Sequence, residues 1–261
     1  MINKNTIKLI KSLSVKKYRE KEGLFLVEGD KMVAEALCSG YKVEKLIATP
    51  EFLLTLKTDT NYTIEITEVS REEIKKASLL KNPQNSIALC KLPENENLPE
   101  NIINDLTLYL DGIQDPGNLG TIIRICDWFG IDFIFCSPDT ADIYSPKVVQ
   151  ASMGSIFRTK LCYIPAGLFF QKESFRNIPV FGAFLNGNNI YTENLPASAI
   201  LVVGNEGHGI RKEVEPFINK KIMIPEFTKN NGNAESLNVA VATGIICAEF
   251  KRQLFYAPCS K

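Results

Sequence analysis

The chain has 261 residues, 45% of them hydrophobic and 23% charged, which describes a globular protein and excludes a disordered or fibrous one. Thirty basic side chains balance thirty acidic ones, so the zero net charge excludes a uniformly basic nucleic-acid binder. No apolar run approaches the ~18 residues of a membrane span and no secretory h-region opens the sequence, so a cytoplasmic protein with no membrane partner is expected.

Lys4 to Lys17 is amphipathic, with Ile7, Leu9, Ile10 and Leu13 among lysines. The first 21 residues carry seven basic side chains (Lys4, Lys8, Lys11, Lys16, Lys17, Arg19 and Lys21) against one acid, Glu20. The excess suits a phosphate backbone and equally suits a solvated helix face. A short strand follows at Leu24–Val27, then a helix over Lys31–Ser39 stopped by Gly40. Strands are expected at Val43–Ala48 and Ile64–Val69. Ser70 opens a helix with Glu72 and Glu73 in its first turn, and Ser86–Cys90 closes the region as a strand. Residues 1–92 therefore read as a compact α/β domain. The Pro-, Glu- and Asn-rich stretch that follows marks an exposed linker over 93–106.

From residue 107 to 261 the α/β alternation resumes. Strands are expected at Thr107–Asp111, Asp132–Cys136, Lys160–Ile164, Pro179–Phe184, Ala199–Val203 and Lys221–Ile224. Helices are expected at Asn118–Phe129, Ser145–Ser155, Leu168–Arg176, Ile210–Phe217 and Leu237–Phe255. Near-continuous apolar strands such as Ile200–Val203 predict a mostly parallel sheet covered by helices on both faces. Such sheets bind ligands beyond their C-terminal strand ends. The seven cysteines contain no CxxC pair and mostly lie in apolar runs, so they read as reduced, buried small hydrophobes. His208 is the only histidine, so no metal site is expected.

Three polar segments stand out from this apolar framework. They are Asp115-Pro116-Gly117-Asn118-Leu119-Gly120-Thr121-Ile122-Ile123-Arg124, Gly204-Asn205-Glu206-Gly207-His208-Gly209, and Ala234-Glu235-Ser236-Leu237-Asn238-Val239-Ala240-Val241-Ala242. In the last, a Ser and an Asn flank one Leu at a helix start, where unpaired backbone N–H groups add to the polar character. No glycine-rich dinucleotide fingerprint follows the first strand of this half. Pro116 would remove a donor from a phosphate cradle, and Glu206 would repel a pyrophosphate. The ligand is therefore not a polyphosphate, which argues against a nicotinamide-dependent oxidoreductase. Singly, Asn118 reads as a helix cap, Arg124 as a surface cation, Glu206 as a turn residue and His208 as a loop residue. Their joint occurrence carries the argument.

The three segments resemble the three motifs of the SpoU/TrmH family of SPOUT methyltransferases. Asn118 and Arg124 match the first motif and Glu206 the second. Ile224-Pro225 with Ser236 to Ala242 matches the third, and Ser145 to Gly154 is also typical of the family. Residues 17–40 resemble, over a shorter span, the substrate-binding domain related to ribosomal protein L30e. The resemblance implies S-adenosyl-L-methionine-dependent 2′-O-methylation of a ribose in structured RNA, rRNA more than tRNA, by a homodimer with a deep trefoil knot. It implies catalytic roles for Asn118, Arg124, Glu206, Ser236 and Asn238, and cofactor contacts at Gly204, Ile224 and Leu237. Lys17, Arg19 and Lys21 are the candidate RNA contacts of the first domain. A non-catalytic RNA-binding protein on the same fold is the alternative. The loop 226–235 is longer and richer in Asn than is usual in the family, and reads as a lid or as a surface excursion.

Overall fold

A computed structural model describes residues 1–56, 63–93, 105–227 and 235–256. Most of the expected linker 93–106, residues 228–234 of the long loop, and Cys259 lie outside the described residues. The chain forms two compact units, one from residues 1–96 with 142–158, the other from 97–141 with 159–261.

The first unit begins with α1 (Lys4–Ser12), capped by Asn3, whose side chain accepts from Thr6 N at 2.7 Å. A second helix, α2 (Lys16–Glu22), ends on Gly23 in the left-handed region. The single amphipathic helix expected over Lys4–Lys17 is thus broken between them, where Leu13 turns wholly into the core. Then come β1 (Leu24–Glu28), α3 (Asp30–Cys38), β2 (Val43–Ala48), α4 (Pro50–Leu53), β3 (Glu65–Glu68), α5 (Arg71–Ala77) and β4 (Ser86–Lys91). The sheet order is β1-β4-β2-β3, with β4 antiparallel to β1 and β2, and β2 parallel to β3. Ser70 and Glu73 close a reciprocal capping box on α5. Ile10, Leu13, Leu26, Ile47, Ile74 and Ile87 fill the core between helices and sheet.

The second unit opens with β5 (Leu106–Asp111), α6 (Pro116–Trp128) and β6 (Phe133–Cys136). The chain then contributes residues 142–158, carrying α7 (Pro146–Ser152), to the first unit. Within that unit Asp142 pairs with Arg19 at 2.6 Å, Arg158 pairs with Glu35 at 2.7 Å, and the Tyr144 ring lies 4.8 Å from that of Phe25. The helix expected over Ser145–Ser155 stops early because Met153 and Gly154 both take positive φ.

The second unit resumes with β7 (Lys160–Tyr163), α8 (Ala166–Phe170), β8 (Val180–Asn189), β9 (Ala199–Gly204), β10 (Lys220–Met223) and α9 (Val239–Tyr256). All six strands are parallel, in the order β10-β8-β9-β5-β6-β7. This is the parallel sheet that the apolar strands predict. The direction of winding reverses at β5, so the crevice beyond the C-terminal ends of β5 and β9 is the topological switch point. The buried rings of Tyr109, Phe135 and Phe169 belong to the core of this unit, with Ile200 and Val202 among their neighbours. One expected helix, over Ile210–Phe217, does not form. Only Glu215–Phe217 makes a 3-10 turn, because Pro216 lacks the N–H that an interior helical position donates and its ring crowds the preceding turn. The helix expected over Leu168–Arg176 likewise divides into α8 and a 3-10 turn at Glu173–Phe175.

Candidate active site

Parallel pairing brings the first two polar segments side by side. Asp111, the last residue of β5, stands opposite Gly204, the last of β9. Beyond β5 the chain turns through Gly112, whose N–H donates to Ser137 Oγ at 2.8 Å, and enters α6. Asp115 caps that helix by accepting from Asn118 N at 2.8 Å, and Pro116 occupies the first turn, where no N–H is required.

Beyond β9 the chain makes a tight hairpin. Asn205 and Gly209 exchange backbone hydrogen bonds at 3.0 and 2.9 Å. Asn205 Oδ1 accepts from the N–H groups of Gly207 and His208 at 2.9 and 3.2 Å, while its Nδ2 donates to Gly112 O at 2.7 Å. Gly204 has no room for a side chain, since a Cβ there would lie 2.2 Å from Gly209 C. The hairpin is anchored at its far end by Arg211, which donates from its backbone N and its Nε to the fully buried Asp111 carboxylate at 2.8 and 2.7 Å. This bonding holds the Arg211 guanidinium above its ordinary value.

The three segments meet through side-chain amides. Asn118 Nδ2 donates to Glu206 Oε1 at 2.9 Å, and Asn238 Nδ2 donates to Asn118 Oδ1 at 2.9 Å. Asn238 Oδ1 in turn accepts from Ala240 N at 2.9 Å and Val241 N at 3.3 Å, so Asn238 caps α9 and the helix starts at Val239 rather than Leu237. The amide orientations are mutually determined, because each Asn can donate only from nitrogen and accept only at oxygen. The result is a carboxylate held at the edge of the crevice, with one oxygen bonded by Asn118.

Other expected residues lie around this chain of bonds rather than in it. Arg124 is exposed on α6, six residues beyond Asn118 and therefore about 9 Å along the helix axis, and has no hydrogen-bond or ion-pair partner among the described residues. Asn118 does not orient it. Ser236 is exposed and likewise unpartnered among the described residues. Ile224 is half-buried just past β10, and Leu237 is 49% exposed just before Asn238. His208 is exposed on the hairpin. In the first unit Lys17 and Lys21 face solvent, but Arg19 is turned inward at 3% exposure. Its Nη1 donates to Leu13 O at 2.6 Å and its Nη2 to Asp142, a structural duty that removes it from any RNA-facing surface. Among the described residues no cluster of three or more His, Cys, Asp and Glu side chains is arranged to hold a metal, and no helix is long and apolar enough to cross a membrane.

Three residues that hold the hairpin in place escaped the sequence reading: Asp111, Asn205 and Arg211. Asn205 lies in the second polar segment, beside Glu206, while Asp111 ends the strand expected over 107–111 and Arg211 falls in the helix expected over 210–217. The signal for Asp111 is a carboxylate closing an otherwise apolar strand, which demands a buried cation.

The sequence profile of the SpoU rRNA Methylase family matches residues 105–248, and that of the MRM3-like substrate binding domain matches residues 4–88. The chain is 31% identical over 238 residues to the 23S rRNA (guanosine(2553)-2′-O)-methyltransferase RlmP of Bacillus subtilis, covering 90% of this chain and 92% of that protein. Among solved structures, a TrmH-family protein from Porphyromonas gingivalis aligns with TM-score 0.85 and 40% identity, covering 97% and 99% of the two chains. An AdoMet-bound rRNA methyltransferase from Sinorhizobium meliloti aligns with TM-score 0.84 and 28% identity, covering 98% and 97%.

Proposed function

This chain belongs to the SpoU rRNA Methylase family, and from that premise we propose that it is an RNA (ribose-2′-O)-methyltransferase acting on structured rRNA with S-adenosyl-L-methionine. The observation that carries the reading is the Glu206–Asn118–Asn238 chain of hydrogen bonds, which ties three separate segments together at the switch point of a parallel sheet.

The residues present suit that cofactor. It is cationic and lacks phosphate, and among the described residues no glycine-rich phosphate cradle is built. The backbone at Gly204 and past β10 can read an adenine edge, while Ile224 and the half-exposed Leu237 offer apolar walls. When bound, the cofactor supplies an electrophilic methyl group on sulfonium, so transfer is an in-line displacement governed by alignment.

The 2′-hydroxyl attacks through oxygen as its proton leaves. Glu206 is the acceptor for that proton: Asn118 bonds one of its oxygens and leaves the other free to face the ribose. Asn238 keeps Asn118 in the donating orientation. Arg124, a permanent cation, binds the neighbouring RNA phosphate and steadies charge on the 2′ oxygen. Ser236 adds a hydrogen bond to the ribose.

Residues 107–261 form the catalytic SPOUT domain in this reading, and residues 1–92 the L30e-like RNA-binding domain, with Lys17 and Lys21 as contacts. The matched spans 105–248 and 4–88 support the division. The trefoil knot of the family goes with this reading, as does a cytoplasmic setting, where ribosomes are made. So does a homodimer. Gly117, Thr121, Arg124 and Trp128 recur along one exposed face of α6, and Trp128 is 84% exposed. The neighbouring helix α9 leaves Val241, Phe255 and Tyr256 exposed as well.

The test is methyl transfer from labelled S-adenosyl-L-methionine to 23S rRNA, with mapping of alkali-resistant linkages. The expected result is one 2′-O-methylated nucleotide with the wild-type chain, and none with Arg124→Ala, which still binds the cofactor by calorimetry. Full activity in Arg124→Ala removes that residue from the mechanism. Absence of cofactor binding by the wild-type chain returns the protein to the non-catalytic alternative.

A further inference from the structure

The first unit carries a second basic feature, on α5 and the loop after it, where α5 packs against the α1 that bears Lys4, Lys8 and Lys11. Arg71, Lys75, Lys81, Asn82, Pro83 and Gln84 line an open hollow of about 270 Å³ between α5 and the loop leading into β4. Five of these six residues carry N–H donors, none is a carboxylate and none is aromatic. Lys75 and Lys81 are exposed and have no ion-pair or hydrogen-bond partner among the described residues.

The wall is rigid. The Asp30 carboxylate accepts from Asn85 N, Asn85 Nδ2 and Ser86 Oγ at 2.9, 2.8 and 2.8 Å. Asp30 N donates to Gln84 Oε1 at 2.6 Å, which leaves the Gln84 Nε2 donors uncommitted among the described residues. Arg71 Nε donates to Asn85 Oδ1 at 3.0 Å, fixing the plane of its guanidinium with further donors to spare. Of the nearby acids, Asp30 is engaged by those three donors and Glu73 by Ser70 N and Ile2 N, while Glu72 is exposed in the first turn of α5, three residues before Lys75. Glu51 lies within electrostatic reach of Arg71 and is the counter-charge to reckon with.

A preformed, donor-rich, carboxylate-free hollow selects a phosphate oxyanion. The lack of an aromatic surface excludes base stacking, so the hollow reads a backbone and not a sequence. The geometry points to a docking site for the phosphodiester backbone of the RNA substrate, built by Arg71, Lys75, Lys81 and Gln84. This inference rests on the reading of the chain as an rRNA methyltransferase. It adds a positioning surface remote in sequence from the catalytic motifs, one that fixes how the RNA lies without contributing to the transfer step.

The experiment uses the full chain and in vitro transcribed 23S rRNA, with binding measured against salt concentration. Lys75→Glu combined with Lys81→Glu is compared with Lys42→Glu combined with Lys91→Glu, the same charge change at the opposite end of the β2–β4 pair. The hollow variant is expected to bind RNA at least tenfold more weakly at low salt. Its slope of log K against log salt falls by about 2. The KM for RNA rises while kcat and affinity for S-adenosyl-L-methionine hold, and the control pair changes RNA affinity less than twofold. Equal weakening by both pairs, or an unchanged slope in a folded hollow variant, overturns the proposal while leaving the methyltransferase reading intact. A wild-type chain that neither binds nor methylates rRNA overturns both. Free anion is the other source of the same chemistry. If inorganic phosphate raises the wild-type melting temperature, and the hollow variant loses that rise yet keeps its RNA affinity, the hollow is a small-anion site and the proposal fails.

Discussion

Asp111 has no exposed surface, yet its carboxylate is joined to a residue a hundred positions away: Arg211 donates both its main-chain N–H and its Nε to it, at 2.8 and 2.7 Å. Asp111 ends β5, and Arg211 follows the hairpin that carries Glu206. The pair therefore sets where that hairpin stands on the sheet. A buried carboxylate left without its cation costs far more than the pair contributes when intact.

Arg211→Met keeps an unbranched stem without the guanidinium and strands the Asp111 charge. The expected loss is on the order of 3 kcal/mol, read as a lower urea midpoint. Methyl transfer falls with it, because the Glu206 hairpin loses its anchor. Arg211→Lys should recover only part of both, since an ammonium cannot reproduce the forked contact. An unfolding free energy within about 0.5 kcal/mol of wild type for Arg211→Met would show that the hairpin does not depend on this pair.

The amide relay makes a sharper demand. Asn118→Asp removes the donor to Glu206 and sets two carboxylates at hydrogen-bond distance. Methyl transfer should fall by about two orders of magnitude, with Asn238 losing no acceptor. Adding Glu206→Gln relieves the repulsion, because the new amide can donate to Asp at position 118. The double variant should regain stability and stay inactive, since its Gln cannot take the proton. Regained activity would mean that Glu206 is not the proton acceptor.

Much of this was legible in the sequence for a plain reason. Parallel strands buried on both faces are near-continuous apolar runs, so β5, β9 and their neighbours announce themselves. The polar segments after them mark the switch-point loops. What stayed hidden depends on tertiary pairing. Periodicity alone makes 210–217 a helix, but the Arg211 side chain is held by Asp111 from a hundred positions away and Pro216 withholds an interior donor. Arg19 reads as one more basic residue of a charged run, but Asp142 draws it inside from 123 positions away. No local pattern shows that residues 142–158, which lie between two strands of one sheet, belong to the other unit.

Glu28 offers a test of stability against pH. It is 5% exposed, and burial holds its carboxyl above the ordinary range, outweighing the bonds it accepts from Ser78 Oγ and Leu79 N. A raised folded value means that the folded state holds the proton more tightly. Its stabilising contribution is complete below the unfolded carboxyl range, near about 4.3, and is lost as pH rises through the folded value. Glu28→Gln keeps an acceptor oxygen for both donors and carries no charge. Urea midpoints between pH 4.5 and 8 should fall with pH for the wild type relative to Glu28→Gln, leaving the variant the more stable at neutral pH. Parallel midpoint curves would rule this out.

Gly204 tests whether the hairpin must close as tightly as it does. A Cβ at this position would lie 2.2 Å from Gly209 C and 2.3 Å from Ile210 N, both backbone atoms. They cannot yield easily, because the Asn205–Gly209 backbone bonds hold one side and Arg211 the other. Gly204→Ala should cost about 1–3 kcal/mol and open the hairpin, lowering cofactor affinity and methyl transfer together. Gly207→Ala, three residues on, meets only Asn205 Oδ1 at an ordinary 3.6 Å and should match wild-type stability. Thermal melts and cofactor calorimetry on the two variants separate the cases. If Gly204→Ala melts and binds as Gly207→Ala does, the close approach of the two backbones is not what holds the Glu206 hairpin in place.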